Sequence, residues 1–260
     1  MAGGSVLVER DGFLATVTLS SPGRMNALDK TMWAQLGAAM TELGADEGLR
    51  CLVIRGDGDK AFAAGADIAE FRNERANAAQ AKAYSRGGIG WMHAVAECRH
   101  PTVALIQGAC VGGGLLIASQ CDLRICNESA RFGVPVKNLG LTESYDELQA
   151  MMRVIGPAAS LEILLEGRIW GAREAYEKGL VSRVVPDANV VDEAYAAARR
   201  IAEGAPLVAR WHKKFVRRLL EARPLTPEER EEGYACFDTE DFRAGVAAFL
   251  AKKKPEFKGR

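Results

Sequence analysis

The chain has 260 residues with 34 basic and 34 acidic side chains, so it carries no net charge, and nothing global recommends nucleic acid or an anionic membrane surface as its partner. Hydrophobic residues make up 48% and charged residues 26%, the balance of a globular protein able to bury a sizeable core. Residues 1–10 lack the basic start and apolar core of a secretory signal and no apolar run approaches membrane-spanning length, so a cytoplasmic protein is expected.

In chain order, Val6–Glu9 and Phe13–Leu19, separated by Arg10-Asp11-Gly12, read as a hairpin with Asp-Gly in the turn. Asp29 is placed to cap a helix in which Met32 or Trp33, Leu36, Met40 and Leu43 recur at helical spacing. Cys51–Arg55 is a short apolar strand. Residues Glu70 to Gly90 are rich in Ala, Asn and Arg, with weak periodicity and a Gly87-Gly88 break, and a mobile segment is expected there. Trp91–Cys98 reads as helix, Thr102–Ile106 as strand, Leu115–Ser119 as helix and Leu123–Cys126 as strand, an alternation that points to parallel α/β architecture. Helices are expected at Leu148–Ile155, Ala158–Leu165 and Ala172–Lys178, then a last strand at Val181–Val185. Beyond it the pattern is nearly all helical, with Val191, Ala194, Ala198 and Ile201 on one helix and Val208, Trp211, Phe215 and Leu219 on the next. The expected division is a core over 1–190 and an appended helical region over 191–260.

Two stretches carry the chemistry. Lys60-Ala61-Phe62-Ala63-Ala64-Gly65-Ala66-Asp67-Ile68 and Gln107-Gly108-Ala109-Cys110-Val111-Gly112-Gly113-Gly114 each follow a strand-like run and precede a helix-like one. Bare backbone amides at such junctions bind anions, and two clusters of them read as an oxyanion hole. The second lacks the Gly-Lys-Ser/Thr ending of a P-loop and the Gly-x-Gly-x-x-Gly of a dinucleotide site. The six cysteines show no Cys-x-x-Cys spacing and read as buried reduced thiols. His93, His100 and His212 have no metal-ligand spacing, so no metal is expected, and a packed or exposed side chain is the favoured reading of His93 over a catalytic one.

Met25-Asn26-Ala27-Leu28, Phe62 to Ile68, Gly108 with Gly112-Gly113-Gly114, Cys121-Asp122, Phe132-Gly133-Val134-Pro135 and the ending Ala248 to Phe257 together resemble the enoyl-CoA hydratase/isomerase (crotonase) superfamily, in order from about residue 5 to the end. The resemblance implies an α/β fold, a spiral of ββα units followed by a C-terminal helical trimerisation region, assembled as a homotrimer or a dimer of trimers. It implies an acyl-CoA thioester whose carbonyl oxygen sits between the amides of Ala66 and Gly113, with coenzyme A as part of the substrate and no other cofactor. It also implies that Arg24, Met25, Ala64, Asp67 and Ile68 hold the nucleotide and pantetheine, with Lys213 and Phe257 approaching the CoA of the same or a neighbouring subunit. Ala69 stands where close relatives often have a CoA-contacting lysine.

The sequence departs from the family where a hydratase keeps its two glutamates: those positions hold Leu116 and Val136. Neither can orient water or carry a proton. Some branches manage with one carboxylate in the loop after Asn-Leu-Gly, where this chain has Glu143, followed by Tyr145, Asp146 and Glu147. Glu143 is the leading acid/base candidate, and which of the four faces inward stays open. The same acids would equally suit the first turn of the helix at Leu148. The expectation is an isomerase-like or other noncanonical acyl-CoA enzyme, with a conventional enoyl-CoA hydratase or a catalytically silent acyl-CoA-binding paralogue as alternatives.

Overall fold

Strands buried on both faces read as continuous apolar runs, and the central strands here are of that kind. The structure is a computed structural model that describes residues 3–260, side chains at 72–73 and 85–89 excepted. The N-terminal hairpin, β1 (Ser5–Asp11) and β2 (Leu14–Ser20), leads into helix α1 (Lys30–Ala45). The paired strands run to Asp11 opposite Leu14, so the turn is Gly12-Phe13, one residue later than the sequence suggested. Asp29 caps α1, its carboxylate accepting from the Met32 amide at 2.9 Å.

Three successive units then each send one strand to a large sheet and the next to a small one. These are β3 (Cys51–Gly56) with β4 (Ala61–Ala63), β5 (Thr102–Ile106) with β6 (Ala109–Val111), and β7 (Leu123–Asn127) with β8 (Arg131–Gly133). Helices α2 (Phe71–Glu74) and α3 (Ala78–Glu97) follow the first pair, α4 (Gly113–Gln120) the second, and α5 (Tyr145–Glu166) the third. Strand β9 (Trp170–Gly171), helix α6 (Ala172–Glu177) and strand β10 (Arg183–Val185) close the core. The large sheet runs β1-β2-β3-β5-β7-β10, parallel except for the first hairpin, and the small one β4-β6-β8-β9. This is a spiral of repeated ββα units, as expected.

Alternation along the strands feeds two cores. Leu52, Ile54, Ala104 and Ile106 point to the cluster beneath α1, α3 and α4, whereas Cys51, Val53, Val103 and Leu105 point to the opposite face. Helix α7 (Val190–Ala202) covers that face with Val190, Ala194, Ala197, Ala198 and Ala202. Helices α8 (Pro206–Leu219), α9 (Pro227–Glu232) and α10 (Glu240–Leu250) complete the chain. Ion pairs from Lys213 and Arg217 to Asp122, both 2.8 Å, fasten α8 to the core.

Two expectations change. The stretch expected to be mobile, Glu70 to Gly90, lies mostly in α2 and in α3, which begins at Ala78 rather than near Trp91. Asn77 caps α3 by accepting from the Gln80 amide, and Trp33 of α1 stacks on Trp91 at 4.6 Å. Helix α5 is, at 22 residues, long and apolar enough by composition to cross a membrane. Gly156 at φ 72° breaks it where two helices were expected, and Ala150, Met151, Ser160 and Ile163 bury one side of it.

Candidate active site

Two strand-to-helix turns leave the small sheet side by side. β4 and β6 are parallel neighbours with Ala63 opposite Cys110, and Ala66 and Gly113 each lie three positions further on. The register that aligns the strands therefore aligns these two amides. The Leu28 amide donates to the Gly65 carbonyl, the Asp67 amide to the Leu28 carbonyl and the Gly112 amide to the Gly133 carbonyl, each at 2.8 Å. The amides of Ala66 and Gly113 donate to no acceptor among the described residues. A Cβ placed on Gly113 would lie 3.6 Å from the Ala66 nitrogen, so the two free donors are adjacent. Gly65 turns the chain at φ 101°, and a Cβ on Gly114 would come within 2.3 Å of the Ala63 carbonyl oxygen. Side chains at either place would displace the donors.

The amides open into a cleft of about 500 Å³ whose walls come from α1, α3, α4, the end of α2 and the loop before α5. Leu116, buried, and Val136, half-buried, both line it. So do Glu143 and Glu147, whereas Tyr145 is 92% exposed and Asp146 faces solvent. Ser144 caps α5: its hydroxyl accepts from the Glu147 amide at 3.3 Å while the Glu147 carboxylate accepts from the Ser144 amide at 2.7 Å. The capping role therefore belongs to Ser144 and Glu147, and Glu143 takes no part in it. Burial pushes the Glu143 carboxyl up to about 8, the negative charge of Glu147 adds to the rise, and Arg75 opposes it.

The remaining sequence candidates divide by place. Ala64 and Ile68 line the cleft. Arg24, Met25 and Asp67 lie on the adjoining loops, where Arg24 pairs with Asp67 at 2.6 Å and the Ala64 amide donates to the Met25 carbonyl at 3.0 Å. Buried Asn26, at φ 55°, steadies that loop by donating to the Asp57 and Ala61 carbonyls. Lys213 and Phe257 are not brought to this cleft. The Lys213 side chain, 7% exposed, donates to the His100 carbonyl and pairs with Asp122. Phe257 lies in an apolar groove with Phe242, Val246 and Phe249. His93 is exposed beside Glu97, and burial holds the His100 imidazole down at about 4. Among the described residues no group of three or more His, Cys, Asp or Glu side chains is placed to hold a metal ion. Sequence reasoning missed Arg75 and Tyr84, which also line the cleft; no motif marks them, and only the folded helix pair brings them to it.

The family model for enoyl-CoA hydratase/isomerase matches residues 9–260. The chain belongs to the enoyl-CoA hydratase/isomerase family. Within that family, a protein from Rhizobium meliloti named a probable enoyl-CoA hydratase is 38% identical over 98% of each chain. A crotonyl-CoA hydratase from Syntrophomonas wolfei is 32% identical over 99% of each. A solved structure described as an enoyl-CoA hydratase/carnithine racemase from Magnetospirillum magneticum has a TM-score of 0.97 at 48% identity, covering 98% of this chain and 96% of that one. Family membership makes the chain an acyl-CoA enzyme with the crotonase fold.

Proposed function

We propose that this enzyme shifts a proton along the acyl chain of a CoA thioester, with Glu143 as its acid/base and the amides of Ala66 and Gly113 as its oxyanion hole. The observation that carries the reading is one cleft holding both free amides and the Glu143 carboxyl, with apolar Leu116 and Val136 on its walls. The thioester oxygen would accept from both amides. The Glu143 carboxylate would take a proton from the acyl carbon, the bonding pair would move into the carbonyl to give an enolate, and the proton would return at another carbon. Each amide donor contributes roughly 3 kcal/mol to stabilising such an oxyanion. Arg24, Met25, Ala64, Asp67 and Ile68 would hold the rest of the CoA.

The test is exchange of acyl protons with deuterated water, and double-bond migration, on a panel of enoyl-CoA thioesters. Glu143→Gln should lower turnover about 100-fold or more while acyl-CoA binding by calorimetry persists. Binding without turnover in the wild type would instead identify a silent acyl-CoA-binding paralogue. A second reading rests on Glu147 lining the cleft beside Glu143: two carboxyls could orient water as a hydratase requires, on residues other than the usual pair. Brisk hydration of crotonyl-CoA by the wild type would overturn the isomerase reading in its favour. We further propose that copies of the chain assemble through the C-terminal helices, as the family resemblance implies for a homotrimer or dimer of trimers.

A further inference from the structure

Among the described residues, Arg75 is the cationic side chain that lines the cleft without an ion-pair partner. Its guanidinium lies 4.5 Å from the centre of the Phe71 ring and 4.0 Å from that of Tyr84, a clamp that fixes the plane of the fork and shields it from water. Its Nε is buried without a hydrogen-bond partner, and Arg75 forms no ion pair among the described residues. The acids on its own turn are engaged elsewhere: Glu74 pairs with Lys30 at 2.8 Å, and Glu70 accepts from the Lys30 amide. The cleft carboxyls do not neutralise it either. Glu147 is held by the Ser144 amide, and Glu143, though near enough to feel the Arg75 charge, is not within ion-pair distance and is largely protonated at neutral pH.

Tyr84 also engages the guanidinium through its hydroxyl, but a partly desolvated guanidinium whose Nε has no partner still matches a planar carboxylate. It already occupies one face of each of Phe71 and Tyr84, and a quaternary ammonium beside them would meet its like charge. Resting on the acyl-CoA reading of the cleft, we infer that Arg75 is a specificity residue for an acyl chain ending in a carboxylate, so that the substrate class is the CoA monothioester of a short dicarboxylic acid.

Calorimetry decides this with three synthetic CoA thioesters of equal chain length, ending in a carboxylate, its methyl ester or a trimethylammonium group. The wild type should bind the carboxylate-ended thioester about ten-fold or more tightly than the methyl ester. Arg75→Gln should erase that difference, and Arg75→Lys, which keeps charge without the fork, should retain part of it. Equal affinity for the carboxylate and the ester in the wild type, or preference for the ammonium, would overturn the inference and leave the acyl-CoA reading standing. Arg75→Gln weakening both thioesters alike would also overturn it, placing Arg75 on a CoA phosphate. Failure of all three to bind would sink the acyl-CoA reading itself.

Discussion

At neutral pH a carboxyl that titrates near 8 is mostly protonated, so only a minority of Glu143 side chains can accept a proton at any moment. If proton abstraction starts the reaction, kcat/KM should rise with pH and level off above about 8. Glu147→Gln removes the neighbouring charge while keeping a side chain able to complete the capping box. That substitution should move the rise to lower pH, and an unmoved profile would separate Glu147 from the titration. Folding responds in the opposite sense. The carboxyl holds its proton in the folded state after it has lost it in the unfolded one, so stability contributed here is full below the ordinary glutamate value of 4.5 and declines as pH rises toward about 8. That Leu116 and Val136 would face the cleft was legible in the sequence because they stand at fixed distances from recognisable turns. The inward direction of Glu143 and Glu147 was not, since the five polar residues in a row from Glu143 to Glu147 share no period that separates cleft from solvent.

The elements that the sequence displayed most clearly are those with apolar runs and punctuated ends. Thr102–Ile106 lies in strand β5 at the expected bounds, and Gly156-Pro157 breaks α5 where the two glycine- and proline-marked helices meet. Helix α3 was hidden because its first turns are built from alanines, which favour helix but leave almost no hydrophobic face to count. Its order comes from packing: a Cβ added to Gly37 of α1 would lie 3.3 Å from the Trp91 Cα, so the two helices meet backbone to backbone there. A comparable close approach sets the turn at Gly113-Gly114. Gly114→Ala forces a methyl against the Ala63 carbonyl oxygen, which should destabilise the fold by about 1–3 kcal/mol and lower turnover more than its effect on melting would suggest. Thermal melting compared with kcat checks both halves. A variant with wild-type melting and wild-type kcat would show that the turn can yield.

On the scale of the whole molecule, the sheet faces are well covered while the C-terminal helices are not. Phe249 is 83% and Leu250 76% exposed, and Phe237, Phe242 and Val246 extend the same apolar character. Contiguous apolar surface of that kind marks a contact between chains. The expected result by sedimentation is a closed oligomer, which Phe249→Asp should shift toward monomer without loss of helical circular dichroism. A monomeric wild type would remove the assembly proposal. The helical character of residues beyond 190 was legible from spacing, but not that α7 packs on the sheet while α8 is tied by ion pairs. Periodicity shows that a helix has an apolar face without saying which surface it covers.

The shared register of β4 and β6 has a further consequence, in the angle it sets at a bound oxygen. Parallel strands run about 4.8 Å apart. If the two amides, three positions beyond the Ala63–Cys110 pair, keep that interval, an oxygen about 2.9 Å from each would see the two donors roughly 110° apart, close to the spread of a carbonyl's two lone pairs. In the proposed reaction, the span that would polarise the thioester is set by the hydrogen-bonding interval of a sheet, one of the least adjustable lengths in a folded chain, whereas the proposed acid rides on a separate loop. One part of the reaction is held to a ruler, and the other is free to be rewritten.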